Sequence, residues 1–101
     1  MSQYIISQPA VRDLQNIISY FAVENVNASE RFLQSFNKKC QQLVSFPNMG
    51  RQYDNLRLGL RGLPLDGYII LYQVGKDRIE IVRVVSGKRN LETLFANPEE
   101  E

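Results

Sequence analysis

Two runs decide the architecture of this chain: Gly67-Tyr68-Ile69-Ile70-Leu71-Tyr72-Gln73-Val74 and Arg78-Ile79-Glu80-Ile81-Val82-Arg83-Val84-Val85. β-Branched and aromatic residues dominate both, and such side chains favour extended backbone. Gly75-Lys76-Asp77 between them has tight-turn chemistry, so the two runs are expected to pair as an antiparallel hairpin. In the second run Ile79, Ile81 and Arg83 fall on one face and Glu80, Val82 and Val84 on the other. Both faces are mixed, so alternation leaves open which one meets the core.

Upstream of the hairpin, Leu58, Leu60 and Leu63 read as a preceding strand. At the other end of the chain Tyr4-Ile5-Ile6 reads as a short first strand. Ser7 can cap a helix there, and Pro9 suits its first turn. Ala10, Leu14, Ile17, Ile18 and Phe21 recur at helical spacing, with Val11 and Tyr20 widening the stripe. Asn27-Ala28-Ser29-Glu30 resembles a capping box and predicts the start of a second helix. Ala28, Phe32, Leu33, Phe36, Cys40, Leu43 and Val44 form its stripe, until Pro47 and Gly50 end it and a loop carries Arg51 and Asp54. The order predicts an α+β domain: an N-terminal strand, an antiparallel helical hairpin, then a three-stranded antiparallel run. The sheet is expected to be mostly antiparallel, with the helices on one face and the other face open. One domain is expected over residues 1–96, followed by an acidic tail at 97–101.

Composition narrows the chemistry. Cys40 is the only cysteine and there is no histidine, so an intrachain disulfide is impossible and a metal site lacks its usual ligands; no cofactor is implied either. A reducing cytoplasm fits best, and the N-terminus offers only Tyr4-Ile5-Ile6 before polar residues and Asp13, too short for the apolar segment of an export signal or for a membrane span. The net charge of +1 is unevenly spread. Residues 51–89 carry eight basic and four acidic side chains, whereas residues 90–101 carry no basic and four acidic ones. The basic middle fits a phosphate backbone, an acidic protein surface or plain solvation.

Several spaced motifs, in order, resemble ParE-like toxins of the RelE/ParE superfamily over nearly the whole chain. They are Tyr4-Ile5-Ile6-Ser7 with Ala10 and Asp13-Leu14, then Phe46-Pro47-Asn48-Met49-Gly50-Arg51, then Leu60-Arg61-Gly62-Leu63-Pro64. Tyr68 to Tyr72, Ile79 to Val84, Gly87-Lys88-Arg89-Asn90-Leu91 and Leu94-Phe95 complete the pattern. The resemblance implies the toxin of a type II toxin-antitoxin pair, with roles such as plasmid stability or stress response. It also implies a cognate ParD-like antitoxin encoded alongside, and contact with DNA only through that antitoxin. ParE-like members inhibit DNA gyrase by binding, whereas RelE-like members cut messenger RNA on the ribosome. A third reading is a non-toxic relative that acts only in a repressor complex with its antitoxin.

Metal-free RNA cleavage needs a group to activate the 2′-hydroxyl and cations to steady the phosphorane. In the nuclease pattern an Arg follows the Tyr that opens the central hairpin strand, and a Tyr closes the C-terminal segment. Ile69 and Phe95 stand at those places here, so no catalytic residue is expected. Arg61, Arg83, Lys88 and Arg89 are the candidates for contact with the target, although each taken singly reads as well as a solvated edge charge. Ser86 and Asn90 depart from the His and Asp common in ParE-like proteins. For the antitoxin, Phe21, Val23, Phe32 and Phe36 are the candidates, as apolar residues extending beyond what a thin sheet covers. Tyr68 and Tyr72 share a sheet face, where core packing is expected over a base-stacking surface, and Cys40 is expected to be a buried small hydrophobe.

Overall fold

The computed structural model of the protein describes residues 3–96. The acidic stretch 97–101 lies outside the described residues. β1 (Tyr4–Ile6) ends at Ser7, whose Oγ accepts the Ala10 N–H at 3.2 Å and so caps α1 (Gln8–Glu24), with Pro9 in the first turn. The second helix begins earlier than the capping-box reading expects. Asn25 ends α1 by donating its N–H to the Phe21 carbonyl at 2.8 Å. Its Oδ1 accepts the Asn27 N–H at 2.8 Å, which starts α2 (Val26–Ser45). One residue caps both helices, so the hairpin has almost no loop.

After α2 come β2 (Arg51–Gln52), β3 (Leu60–Leu65), β4 (Tyr68–Val74), β5 (Ile79–Ser86) and α3 (Leu91–Ala96). They build a five-stranded sheet in the order β1-β5-β4-β3-β2. β1 runs parallel to β5, with Tyr4 opposite Ile79, and every other pair is antiparallel. Asp66 (φ 49°) and Gly67 (φ 84°) join β3 to β4. Two consecutive positive φ values make the mirror-image turn that follows the twist of paired strands, and Asp-Gly supplies it at low steric cost. β2 is too short to show in the pattern and occupies what reads as loop.

Strand β5 contains an irregularity that explains its mixed faces. Leu71 of β4 stands opposite Arg83 and Tyr72 opposite Ile81, so Val82 is an extra residue without a direct partner. The bulge shifts the alternation by one. Ile79, Ile81 and Val84 therefore all join the core under the helices, with Ile70 and Tyr72 of β4 and Ala10, Leu14, Phe32, Phe36 and Cys40 of the helices.

The opposite face is not open. Leu60, Leu71 and Val85 are buried there, with Tyr53, Ile69, Val82, Leu94 and Phe95 packed against them. α3 and the 53–58 connection thus cover the upper part of a face expected to be bare. Gly62 makes room for this layer: a Cβ on it would come within 2.6 Å of the Tyr53 ring and 3.0 Å of Ile69.

The turn after α2 is clamped from beneath. Tyr72, fully buried, donates its hydroxyl to the Pro47 carbonyl at 2.8 Å and accepts the Gly50 N–H at 2.9 Å. Arg61 Nη1 donates to the Asn48 and Gly50 carbonyls at 3.0 and 2.8 Å. Gly50 sits so close that a Cβ would lie 2.6 Å from the Tyr72 hydroxyl and 2.9 Å from the Gly62 carbonyl oxygen. Burial raises the pKa of the Tyr72 hydroxyl, while the Gly50 hydrogen bond and the Arg61 charge pull the other way. The group remains a protonated donor at neutral pH.

Replacing Tyr72 by Phe strands a buried N–H and leaves the Pro47 carbonyl without its donor. A loss of about 1–3 kcal/mol in unfolding free energy is expected, readable by urea denaturation; a change within error would show that water replaces the hydroxyl. Burial pushes the Cys40 thiol up to about 12 from the 9.0 of a free thiol. A folded-state value above the unfolded one gives stability that is complete below pH 9 and lost as pH climbs towards 12. Native protein is therefore expected to resist an aromatic disulfide reagent until denatured, and Cys40→Val to lose less stability than the parent over that alkaline window.

Candidate functional site

Where β1 stops, the outer edge of β5 continues without a neighbouring strand, and side chains from α1 take over the edge groups. Ser7 Oγ donates to the Val82 carbonyl at 2.8 Å. Asp13 Oδ2 accepts the Val84 N–H at 2.9 Å and Arg83 Nε at 2.7 Å, and Asp13 Oδ1 accepts Arg83 Nη2 at 2.9 Å. One carboxylate thus closes the ladder beyond the bulge and holds Arg83 in a two-pronged ion pair, both side chains largely buried. The bulge is what turns Arg83 towards this edge.

Between α1, this edge and α3 lies a cleft of about 550 Å³, lined among others by Arg12, Asp13, Asn16, Arg57, Arg83 and Phe95. The Arg57 guanidinium stacks over the Phe95 ring, 4.9 Å from its centroid. Ile69 and Phe95, which stand where the nuclease pattern has Arg and Tyr, both belong to the apolar layer of this face. Neither an isoleucine nor a phenylalanine can activate a hydroxyl or hold a phosphate. Among the described residues no three His, Cys, Asp or Glu side chains converge as a metal set would require. No helix among them is long and apolar enough to cross a membrane.

The expected target-binding cations do not form one patch. Arg61 lies on β3, tied to the carbonyls of the 48–50 turn, and Arg83 lies on β5, tied to Asp13, with β4 between the two strands. Both are partly exposed and already hydrogen-bonded to acceptors of the protein itself. Lys88 and Arg89 are exposed in the turn between β5 and α3, where the Ser86 hydroxyl accepts the Lys88 N–H and its carbonyl accepts the Arg89 N–H. Asn90 Oδ1 accepts the Glu92 N–H and so fixes the start of α3 behind them.

The apolar candidates on the helices divide in the same way. Phe32 and Phe36 are 2% and 1% exposed and belong to the chain's own core, which removes them as a docking surface. Phe21 is half-buried, with its ring 5.4 Å from that of Phe32 and 6.3 Å from that of Tyr68. Val23, 86% exposed near the hairpin tip, remains available. Tyr68 and Tyr72 both face the helices, as core packing requires. Arg12 and Arg57 line the cleft yet gave no signal in the sequence beyond helical or loop position, and Asp13 entered only as part of the N-terminal motif. Only the bulge and α3 bring them together.

A model of the family described as the ParE toxin of the type II toxin-antitoxin system parDE matches residues 4–91. Toxin ParE3 of Caulobacter vibrioides is 27% identical over 92 residues, covering 90% of this chain and 92% of that protein. Toxin ParE1 of Mycobacterium tuberculosis is 26% identical over 93 residues, covering 90% of this chain and 95% of that protein. A solved chain of a chromosomal ParDE toxin-antitoxin system from P. aeruginosa superposes with a TM-score of 0.71 at 21% identity, over 85% of this chain and 96% of that one. That likeness concerns the fold. With the family match spanning nearly all the ordered elements, the chain belongs to the ParE toxins of type II toxin-antitoxin systems.

Proposed function

We propose that this toxin inhibits DNA gyrase by binding it, performs no chemistry of its own, and is held inactive by a cognate ParD-like antitoxin through which alone it meets DNA. The cytoplasm is the compartment in which all three would meet. The observation that carries the reading against RNA cleavage is the apolar layer around Ile69 and Phe95. A nuclease of this superfamily needs a cation and an ionisable hydroxyl there, and burying either in that layer without partners would be costly. Lys88 and Arg89 are the exposed cations best placed to touch the target, on a turn held by Ser86 and followed directly by α3.

Purified toxin is expected to block supercoiling by gyrase and to accumulate cleaved DNA, and the double substitution Lys88→Glu with Arg89→Glu to relieve both effects while leaving the melting temperature within a degree or so. Mapping messenger RNA ends in a translating extract separates the alternatives. Codon-specific cuts without any effect on gyrase would sink the reading. Co-expression with the protein of the adjoining small reading frame is expected to restore supercoiling.

A further inference from the structure

The end of the molecule that carries Lys88 and Arg89 holds more than those two cations. Tyr68 of β4 stands opposite Ser86, and the Gly87 N–H donates to the Gly67 carbonyl at 2.8 Å. On the helix side of the sheet the Tyr68 ring lies 6.3 Å from that of Phe21, and Phe21 meets Tyr20 edge to face with centroids 5.7 Å apart. These contacts place the tip of the helical hairpin and the 86–89 turn at one end of the fold.

Three large apolar side chains stand out at that tip. Tyr20, Val23 and Val26 are 66%, 86% and 63% exposed. Tyr20 and Val23, three residues apart, share one side of the last turns of α1, and Val26 opens α2. One exposed apolar residue is ordinary, but three on one protrusion mark a surface that is covered in use. No loop is left to fold back over them, because Asn25 alone joins the helices. The same junction holds them still, which lowers the ordering cost of binding. Tyr20 is the outermost of four rings in contact, with Phe21, Phe32 and Tyr68 behind it, and its hydroxyl makes no hydrogen bond among the described residues. The side chains of Lys88 and Arg89 are likewise unbonded among the described residues, and neither Glu24 nor Asp66, the acids at this end, pairs with them.

We propose that Tyr20, with Val23 and Val26 beside it, is the apolar anchor by which this toxin grips gyrase, seated in an apolar hollow of that enzyme whose rim carries carboxylates for Lys88 and Arg89. This rests on the reading that the toxin acts by binding gyrase. Residue types favour the protein over the DNA that gyrase holds. Phosphates match the cations, but two valines offer them nothing, whereas a protein surface answers both. Exposed tyrosine and arginine are also the residue types concentrated at the energetic centre of protein interfaces. Val23 is thereby assigned to the target, apart from the antitoxin.

The test uses the toxin variants Tyr20→Ala and Val23→Ser, whose exposed positions leave the fold intact, as melting curves check. Each is expected to raise the toxin concentration that halves supercoiling, Tyr20→Ala by at least about tenfold, and to weaken binding to DNA-free gyrase in step. Binding that remains in Tyr20→Ala is expected to keep its salt dependence, which the Lys88→Glu, Arg89→Glu variant loses. Affinity for the protein of the adjoining reading frame is expected to stay unchanged. Full inhibition by both folded variants, with the charge-reversed variant impaired, would overturn the proposal while the gyrase reading stands. Loss of affinity for the adjoining frame's protein in place of gyrase would assign the tip to the antitoxin and overturn it. A bare DNA duplex bound as tightly as DNA-free gyrase, and lost with Tyr20→Ala, would assign this end to nucleic acid and overturn it as well. Parent toxin without effect on gyrase would refute the gyrase reading, and the proposal with it.

Discussion

One extra residue in β5 sets the terms for the rest of the molecule. Without the bulge at Val82, strict alternation would carry Ile79, Ile81, Arg83 and Val85 to the helices and leave Val84 outside. A guanidinium would then project under α1 with no room for its hydration, a penalty of several kcal/mol unless paired. The shift places Val84 in the core, Val85 in the second layer and Arg83 at the edge, where Asp13 meets it. The same carboxylate takes the Val84 N–H, so the irregularity and the docking of α1 are one event.

Much of the fold was legible because local chemistry and tertiary role agree. Ser7 with Pro9, the stripe from Ala10 to Ile17, and Gly75-Lys76-Asp77 between two β-rich runs each carry their own instruction. The parts that escaped depend on long-range pairing. β2 is strand only because Arg51 and Gln52 lie against Gly62 and Arg61. α3 is short, and Leu91, Leu94 and Phe95 gain their helical sense only from the apolar layer they cover. The bulge was visible as a contradiction, mixed faces on a strand that ought to have one buried side, and its resolution needed the register of β4.

The candidate site was less legible than the fold, for a reason rooted in arginine itself. A guanidinium offers five donors on a long stem and serves equally well as a structural tie or as a docking group. Arg61 and Arg83 look alike in sequence, and both turn inward to backbone carbonyls or a carboxylate. Lys88 and Arg89 look no different and stay outside. What sorts them is the presence of acceptors within reach, and those acceptors come from residues 11 to 70 positions away along the chain. Ile69 and Phe95 are informative in the opposite sense, because a residue type that cannot do a job excludes it wherever the chain folds.

The parallel pairing of β1 with β5 also fixes when this protein can exist. Tyr4 finds its partner only at Ile79, and Ser7 and Asp13 find theirs at Val82 and Val84. Contacts of such sequence separation form late and together. During synthesis the helical hairpin emerges with its apolar stripe uncovered, and the sheet that will cover it is completed only once β5 has followed. A chain that stops before β5 lacks the strand that joins β1 to the sheet and serves both apolar layers, so no molecule is active until that strand has been made.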